Sequence, residues 1–417
     1  MARLSLAAIA RAVRGEVILG SRPPERGAEH EVDGYSIDSR TAKPGELFFA
    51  IVGPRLDGHE FVKAAVAGGV VAAVVARGGA ARYPDAPALV RVKDTTRALQ
   101  DLGAHVRRAR PLRVVGITGS AGKTTAKEMT AAVLGQRFPV LKSEGNLNNT
   151  YGLPLMLLRL EEFHEAAVLE MGMSSRGEMG PKISYGVTAK TARVRAEAIE
   201  VEGLRGSRFI LRSDGGSVPV SLALPGRHNV FNALAAASVG IVLGLQGEEI
   251  RRGLEAVRPA SMRGVLHRLP SGVEVLDDSY NSNPAAMEQA IESLRTAAPR
   301  GRRVLVSGDM LELGPYERKA HARLGTQAAE AGIDLFIAVG PLSRRAADAA
   351  RAAGGVDVRH FPDAETAAAF VASDVRPGDL VLVKGSRGMK MERVVRALLP
   401  QDGDDAPGGA GHAGGPA

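Results

Sequence analysis

Residues 112–127 read LRVVGITGSAGKTTAK, and this stretch decides the fold of the middle of the chain. The apolar, β-branched run 112–117 predicts a buried strand, and residues 124–134 predict a helix. Between them, Gly119 and Gly122 allow a tight turn whose N–H groups point into one concavity at the helix N-terminus. The stretch therefore predicts a phosphate-binding loop within an α/β domain.

The residues after these glycines carry the chemistry of the loop. Lys123 can reach the outer phosphates of a nucleotide, and the Thr124 hydroxyl can bind Mg²⁺. The spacing departs from the common G-x-x-x-x-G-K-[ST] pattern, because five residues separate Gly116 from Gly122. The loop alone leaves a kinase, a GTPase, a ligase and a motor open. A GTPase is disfavoured because the chain has no N-K-x-D guanine motif.

Length and composition exclude several classes. The 417 residues suggest roughly two to four domains. The chain has no cysteine, which excludes disulfides, thiolate metal sites and cysteine nucleophiles. Tryptophan is absent and basic residues form no block, so we expect no nucleic-acid partner. The net charge of +8 reflects either a solvated arginine-rich surface or attraction of a polyanionic small molecule.

The N-terminus gives no targeting signal. Its apolar stretch is short and amphipathic, unlike a signal peptide or a membrane span. We therefore expect a cytoplasmic protein without membrane insertion.

The first block of the chain covers residues 1–108. Its predicted strands are Leu47–Ile51, Val70–Val75 and Ala88–Val92. The segment DSRTAKPGELFFAIVGPRLDGHEF is dense in turn-forming and polar residues. It indicates either a ligand-facing surface or ordinary loops.

The second block covers residues 109–258. A predicted strand, Ala166–Leu169, ends in Glu170, whose carboxylate can bind Mg²⁺ beside a phosphate loop or simply face solvent. Residues 207–224 alternate like a β-hairpin, and the following LPGRHNVFNALAAA predicts the start of a helix.

The third block covers residues 259–400. Its predicted strands are Val273–Leu276, Arg303–Ser307, Leu335–Val339 and Leu380–Val383. Helical patterns separate them, which predicts a mostly parallel sheet. The polar clusters DDSYNSNP, GDMLELG and VKGSRG follow three of these strands, so we expect a binding edge at the carboxyl ends. The Gly/Pro/Ala-rich tail, 401–417, is predicted to be disordered.

These motifs together resemble the Mur ligases, the ATP-dependent amide-forming enzymes of peptidoglycan precursor synthesis. The motifs that carry the resemblance are, in order, DSR, DGHEF, TGSAGKTT, NLNNTYGLP, LEMGMS, GRHNVFNALAA, DDSYNSNPAAM, GDMLELG and VKGSRGMKME. The resemblance implies a three-domain α/β architecture, with a UDP-sugar domain (1–108), a P-loop ATP domain (109–258) and a Rossmann-like domain (259–400).

The resemblance also implies a reaction. DDSYN-NP with GDMLELG points to the members that join D-alanyl-D-alanine to UDP-N-acetylmuramoyl-tripeptide through an acyl phosphate, with ATP and Mg²⁺. A monomer is expected. Another Mur-type or folate-type ligase is an alternative, and so is an inactive remnant that only binds nucleotide or UDP-sugar.

Family motifs further imply roles for individual residues. The residues implied at the ATP phosphates are Thr118, Gly119, Ser120, Ala121, Gly122, Lys123, Thr124 and Thr125. Lys123 and Glu170 are implied as catalytic, and Thr124 and Glu170 as magnesium ligands. The other residues implied at the nucleotide are His228, Asn229, Asn232, Arg263, Asp278 and Asn281. The residues implied at the substrates are Ser39, Arg40, Asp57, Gly58, His59, Asn148, Asn149, Thr150, Tyr280, Asn283, Lys384, Ser386 and Arg387.

Some of these residues have plain structural alternatives. The asparagines of the HNVFN motif can be helix caps, Arg263 can be a surface arginine, and the Lys384 motif can be a strand-to-turn exit.

One departure separates this chain from the family pattern. After LEMGMSSRGEM the family continues with a further strand, a threonine-asparagine motif, a histidine motif and a carbamylated lysine. Between Glu170 and His228 this chain has no histidine, and its only lysines are Lys182 and Lys190, outside the family's context. The sequence therefore predicts a segment missing near residue 180, with loss of part of a second metal site.

Overall fold

A computed structural model describes residues 1–76, 78, 82–119, 121–145, 147–171, 185–187 and 192–400. The chain forms two compact units. Unit 1 comprises Met1–Ala198, Phe209–Val220 and Val230–Val257, and unit 2 comprises Ile199–Arg208, Ser221–Asn229 and Arg258–Ala417. Of the described helices, none is long and apolar enough to cross a membrane.

Unit 1 begins with a five-stranded sheet. Its strands are β1 (Glu16–Leu19), β2 (Gly34–Ser36), β3 (Glu46–Phe49), β4 (Ala72–Ala76) and β5 (Ala88–Val92). Its helices are α1 (Leu6–Ala12), α2 (Val62–Ala67) and α3 (Thr95–Arg108). The strand order is β1-β5-β4-β3-β2, and all neighbours are parallel except β1 with β5. The three strands predicted here are confirmed within two residues at their ends.

The phosphate-loop region adds a parallel sheet. Its elements are β6 (Arg113–Ile117), α4 (Lys123–Leu134), β7 (Val140–Lys142), α5 (Gly152–Leu158) and β8 (Ala166–Glu170). The strand order is β6-β8-β7. The predicted strand–loop–helix at 112–134 is confirmed, and the second predicted strand extends to include Glu170.

One hydrophobic core joins these two sheets. It contains side chains from α1, β3, β5 and α3 together with Leu141, Met156 and Leu169 of the phosphate-loop region. Helix α3 packs directly on α5, and a Cβ at Gly103 would lie 3.0 Å from Pro154. Helix α5, which follows the Asn148–Thr150 loop, is therefore held against the N-terminal part of the chain.

A third sheet, with four strands, and two helices complete this part of the chain. The strands are β9 (Tyr185–Gly186), β10 (Val194–Val201), β11 (Ser207–Ser213) and β12 (Gly216–Leu222), in the order β12-β11-β10-β9. The predicted hairpin is confirmed, with Asp214 and Gly215 as its turn. The helices are α6 (Arg227–Val242) and α7 (Gly247–Ala256), and α7 packs on α4.

Unit 2 contains a six-stranded sheet. Its strands are β13 (Val265–Arg268), β14 (Glu274–Asp278), β15 (Arg303–Gly308), β16 (Leu335–Val339), β17 (Asp357–Phe361) and β18 (Leu380–Lys384). Its helices are α8 (Pro284–Thr296), α9 (Glu317–Glu330), α10 (Arg344–Ala353), α11 (Ala364–Asp374) and α12 (Glu392–Leu398). The order is β13-β14-β18-β15-β16-β17, and only β13 is antiparallel.

Both faces of this sheet are buried. Leu276, Leu305 and Leu382 pack with one group of helices, whereas the alternate residues of the same strands pack with the other group. Runs of buried β-branched residues covered on both sides are typical of parallel sheets in α/β domains. The α/β class is confirmed. The domain boundaries at 108 and 258 stay predictions, and the predicted gap near residue 180 and the tail 401–417 lie outside the described residues.

Candidate functional site

The phosphate loop turns at Gly122 and opens helix α4. Gly122 has φ +77°, a left-handed conformation that favours glycine, and a Cβ there would lie 2.7 Å from the Asn232 side-chain oxygen. Lys123 is the first helical residue, and its ammonium donates to the Gly119 carbonyl at 2.8 Å. Asn232 is therefore in direct contact range of the loop.

The remaining loop residues differ in exposure. Thr118 and Ala121 are exposed, whereas Thr124 and Thr125 are half-buried in the first turn of α4. Ser120 lies outside the described residues. The exposed part of the loop leaves the helix N-terminus accessible to an anion, as a phosphate site requires.

Glu170 and Thr124 meet beneath this loop. The Thr124 hydroxyl donates to one carboxylate oxygen of Glu170 at 2.9 Å, and the Asn148 amide donates to the other at 3.0 Å. Glu170 is 4% exposed, so it is not a glutamate that simply faces solvent, which was the alternative to a metal ligand. The strand end and the helix start bring together two residues 46 positions apart.

The Thr124–Glu170 pair suits Mg²⁺. One carboxylate and one hydroxyl within 2.9 Å of each other are oxygen donors that Mg²⁺ prefers, and Mg²⁺ commonly completes its shell with water and substrate phosphates. No cluster of three or more histidine, aspartate or glutamate side chains that could hold a metal occurs in the described part of the chain. These two residues therefore fit a magnesium ion bound together with a nucleotide.

The loop after Asn148 has a structural role as well. The Asn149 side chain accepts hydrogen bonds from the backbone N–H groups of Tyr151 and Gly152, at 3.1 and 2.8 Å, at the start of α5. Thr150 is exposed. Asn148 thus faces the Glu170 carboxylate while Asn149 holds the loop onto its helix.

The start of α6 carries the motif expected at adenine. The Asn229 amide donates to the Pro225 carbonyl at 2.7 Å, which is a local hydrogen bond but not a helix cap, and Asn229 is 5% exposed. Burial lowers the pKa of His228, Asp278 opposes this shift, and Lys384 adds to it. His228 thus lies within electrostatic range of Asp278 and Lys384.

Three polar clusters converge at the carboxyl edge of the unit 2 sheet. The strands that precede them, β14, β18 and β15, are adjacent. The buried Lys384 ammonium donates to Asp278 at 2.5 Å and to the Asn281 carbonyl at 3.0 Å. The Ser386 hydroxyl accepts from the Leu311 N–H at 2.8 Å. The structure therefore brings all three predicted clusters together, and they are more than strand-to-turn exits.

An arginine–tyrosine stack lies beside these clusters. The Arg263 guanidinium sits 3.9 Å from the centre of the Tyr280 ring, and that of Arg387 sits 5.9 Å away. Arg387 also pairs with Glu392 at 3.0 Å. Arg263 is thus held by a specific contact.

Asn281 and Asn283 differ in their surroundings. Asn283 caps helix α8 by accepting from the Ala286 N–H at 2.9 Å, which gives it a structural partner. Asn281 is exposed, and its side-chain oxygen accepts from the Ser282 N–H at 2.8 Å.

The candidate UDP-sugar residues are tied to their own neighbours. His59 donates through its N–H and its Nδ1 to Asp57, at 3.0 and 2.7 Å, and its Nε2 accepts from the Ala76 N–H at 2.9 Å. The hydrogen bond from the His59 backbone N–H lowers the pKa of Asp57 most, and the hydrogen bond from the His59 ring lowers it further. A Cβ at Gly58 would lie 2.5 Å from the Ile51 backbone nitrogen. These three residues therefore shape the turn before α2.

Arg40 forms a similar local pair. It donates from its side chain and backbone to Asp38, which lowers the pKa of Asp38 to about 2. Ser39 is half-buried between them, and Arg40 is exposed. An anionic ligand would have to compete with Asp38 for this guanidinium.

Sequence reasoning missed two buried residues behind Glu170. Ser143 accepts from the Glu170 N–H through its hydroxyl at 3.0 Å, and the Lys127 ammonium donates to the Ser143 carbonyl at 2.8 Å. Lys127 lies three positions after Thr124, so it shares a helix face with it. That spacing was the available signal, whereas nothing in the sequence marks Ser143.

The chain is similar to known proteins along most of its length. Residues 31–143 match the family described as Mur ligase family, catalytic domain. Residues 117–182 match the Mur ligase middle domain, and residues 262–387 match the Mur ligase, glutamate ligase domain. The UDP-N-acetylmuramoyl-tripeptide–D-alanyl-D-alanine ligase of Escherichia coli is 36% identical over 440 residues, which cover 89% of this chain and 95% of that protein.

Solved structures agree with this similarity. A crystal structure of MurF from Acinetobacter baumannii is 29% identical with a TM-score of 0.83, covering 95% of this chain and 99% of that one. MurF of Thermotoga maritima in complex with ADP has a TM-score of 0.73 at 23% identity and covers 88% of this chain and 96% of that one, so it shows the shared fold.

The comparisons also bear on the predicted missing segment. The Escherichia coli alignment runs over 440 positions although this chain has 417 residues, so it leaves gaps on the side of this chain. The middle-domain match ends at residue 182, inside the range 172–184 that the structure leaves undescribed. The gaps agree with a chain shorter than its relative, and the place of the missing residues stays a prediction.

Proposed function

The chain belongs to the Mur ligase family, and we propose that it joins D-alanyl-D-alanine to UDP-N-acetylmuramoyl-tripeptide while ATP is converted to ADP and phosphate. The observation that carries this proposal is the 36% identity to the Escherichia coli UDP-N-acetylmuramoyl-tripeptide–D-alanyl-D-alanine ligase, in an alignment that covers 95% of that protein. The phosphate loop, the Thr124–Glu170 pair and the converging clusters of unit 2 support this proposal.

The reaction requires activation of a carboxylate, because an acid and an amine form a salt at neutral pH. A carboxylate oxygen of the tripeptide attacks the γ-phosphorus of ATP, and the bond to the β,γ-bridging oxygen breaks to release ADP. The amine of D-alanyl-D-alanine, in its neutral form, then attacks the acyl carbon. Inorganic phosphate leaves, and the nitrogen loses a proton to solvent as the amide forms.

The residues of this chain neutralise and orient the charged groups. Loop N–H groups and the positive end of α4 hold the phosphates, and Lys123 exchanges its bond to the Gly119 carbonyl for one to the transferred phosphate. Thr124 and Glu170 would hold Mg²⁺, which supplies charge neutralisation on the phosphate oxygens. Asn148 keeps the Glu170 carboxylate directed toward Thr124.

The substrate roles of the other residues rest on the family motifs and on their placement. We assign the UDP-sugar to the region of Ser39, Arg40 and the Asp57–His59 turn. Lys384, Ser386, Arg387 and Tyr280 are assigned to the acceptor end. We further propose a cytoplasmic monomer that binds no nucleic acid.

The alternative of an inactive remnant is not favoured. The chain retains the phosphate loop, a buried Glu170 and a Lys384 whose ammonium donates to both Asp278 and the Asn281 carbonyl. Whatever the predicted missing segment would contribute, we do not assign its roles to Lys182 or Lys190, which lie outside the described residues.

Phosphate release by the purified protein tests the proposal. The mixture contains Mg-ATP, UDP-N-acetylmuramoyl-tripeptide and D-alanyl-D-alanine, with one component omitted in each control, and mass spectrometry identifies the product. We expect release and an amide product only when all three are present, and loss of both in Lys123→Met. ATP binding without release would identify a remnant. Turnover with a single amino acid in place of the dipeptide would indicate another Mur-type or folate-type ligase.

A further inference from the structure

Lys127 is a buried cation that the reaction above does not use. It lies in α4, is 3% exposed, and its ammonium donates to the Ser143 carbonyl at 2.8 Å. Its counter-ion is Glu128, with an oxygen 3.0 Å away, and the other oxygen of Glu128 binds Lys142 at 2.5 Å. A charge so deeply buried is unfavourable unless it is paired and hydrogen-bonded, as it is here.

Ser143 connects this cation to the site. Ser143 follows strand β7, is 1% exposed, and its own N–H donates to the Val168 carbonyl of β8 at 3.0 Å. Its hydroxyl accepts from the Glu170 N–H at 3.0 Å. Lys127 thus fixes the main chain of Ser143, and the side chain of Ser143 fixes the main chain of Glu170.

This linkage ends at the residues that face the nucleotide. Glu170 closes strand β8, and its carboxylate is already held by Thr124 and Asn148. Thr124 and Lys127 lie on the same face of α4, so one helix holds Glu170 from two sides. The carboxylate is held directly, and the backbone is held through Ser143. Groups that orient a metal ligand in this way commonly change metal affinity about 10–100-fold when removed.

We infer that Lys127 is a positioning residue that acts through Ser143 to fix Glu170 for the magnesium ion beneath the phosphate loop. The inference rests on the proposed function only in that Glu170 and Thr124 form that magnesium site. It predicts an effect on metal affinity that a purely structural buried lysine would not have.

Metal binding is measured directly with Mn²⁺ as the probe. Electron paramagnetic resonance reports free Mn²⁺ during titration of the full chain loaded with ADP. The variants are Lys127→Met, Ser143→Ala and their combination, and thermal unfolding confirms that each is folded. We expect Mn²⁺ to bind about 10–100-fold more weakly to each single variant, with little change in ADP affinity measured without metal. Because both act on Glu170 through one connection, the double variant should lose little more than the larger single effect.

Thr130→Val is the matched control. Thr130 is on the same helix, is 1% exposed, and its hydroxyl donates to the Ala126 carbonyl within α4 at 2.7 Å. It should lower stability without weakening Mn²⁺ binding.

The outcomes separate the two proposals. A folded, ADP-loaded wild-type chain that binds no Mn²⁺ would overturn the proposed magnesium site, and this inference with it. If the wild-type chain binds Mn²⁺ and the Mn²⁺ affinity of Lys127→Met lies within about twofold of the wild-type affinity, the role of Lys127 alone is overturned. Additive losses of Mn²⁺ affinity in the double variant would overturn it as well. If Lys127→Met does not fold, Ser143→Ala decides the question, because unchanged Mn²⁺ affinity there breaks the proposed connection.

Discussion

Replacing Lys384 by methionine removes the cation that joins two polar clusters in unit 2. The Lys384 side chain is 4% exposed, and its ammonium donates to Asp278 at 2.5 Å and to the Asn281 carbonyl at 3.0 Å. Methionine keeps the length and the apolar stem of the side chain. The Asp278 carboxylate and the Asn281 carbonyl would both lose their donor.

The expected loss follows from the burial of the pair. Removing one partner of a buried ion pair costs about 3–5 kcal/mol of unfolding free energy. Asp278 is 28% exposed and keeps some water, so we expect the low end of this range, about 3 kcal/mol. In a unit of this size 1 kcal/mol lowers the melting temperature by about 2–4 °C, which predicts a decrease of about 6–12 °C for unit 2.

Calorimetry of Lys384→Met measures this decrease, and phosphate release measures the accompanying loss of activity. Arg393→Met is the control, because Arg393 and Glu365 form an exposed pair, 48% and 81% exposed, that contributes about 0–1 kcal/mol. Adding Asp278→Asn to Lys384→Met removes the orphaned charge and should recover part of the lost stability. A melting temperature within about 2 °C of wild type, or a further decrease in the double variant, would refute the reasoning.

Three further predictions concern single residues. Burial lowers the pKa of His228 below its ordinary value of 6.5. Just below pH 6.5 the unfolded chain therefore binds a proton that the folded chain does not, and the free energy of unfolding decreases as the pH falls from about 6.5. His228→Gln should remove this part of the decrease in urea titrations between about pH 5 and 8, and an unchanged profile would contradict it. Gly58→Ala places a Cβ 2.5 Å from the Ile51 nitrogen and should lower the free energy of unfolding by about 1–3 kcal/mol. Urea unfolding measures this loss, and a variant as stable as the wild type would show that the turn relaxes freely. Gly122→Ala places a side chain at a left-handed position, which costs about 1–2 kcal/mol, and crowds Asn232. We therefore expect ATP to bind roughly tenfold more weakly in calorimetric titration. An ATP affinity equal to that of the wild type would argue against this loop geometry.

The strands of unit 2 were predictable because their sequences carry a strong local signal. Leu335–Val339 and Leu380–Lys384 are runs of buried apolar residues bounded by turns, and both were found within one residue. The polar clusters after such strands were also predictable, since parallel strands deliver their carboxyl ends to one edge. Lys384 and Asp278 therefore met as expected.

Some of the elements that were missed carry weak local signals, although β10 (Val194–Val201) and β17 (Asp357–Phe361), with eight and five residues, were not predicted either. Strands β1, β2 and β7 have three or four residues each, and β13 is an antiparallel edge strand whose residues are half-buried or exposed. A pattern of period two needs more residues than these strands contain, and their pairing partners set their positions.

The support behind the site could not be read from the sequence for a different reason. The Ser143–Glu170 hydrogen bond spans 27 positions, and it depends on the register of β7 against β8. Neither residue type nor spacing encodes that register. Likewise, the sequence does not show that the Asp57–His59 turn is closed by hydrogen bonds to the chain itself, and its place at the UDP-sugar stays a prediction.

The shared core of unit 1 has a consequence for how the chain folds during synthesis. The N–H of Ala2 donates to the Leu158 carbonyl, and the N-terminal ammonium binds Glu161, both at 2.9 Å. One face of the first sheet is covered by residues of the first block, whereas the other packs against side chains as late as Leu169. Helices α1 and α3 cover part of that second face early, and at about 5–20 residues per second the rest waits on the order of ten seconds on the ribosome for its partners. The first block of the nascent chain thus presents an apolar surface that a chaperone holdase can cover until the phosphate-loop region emerges.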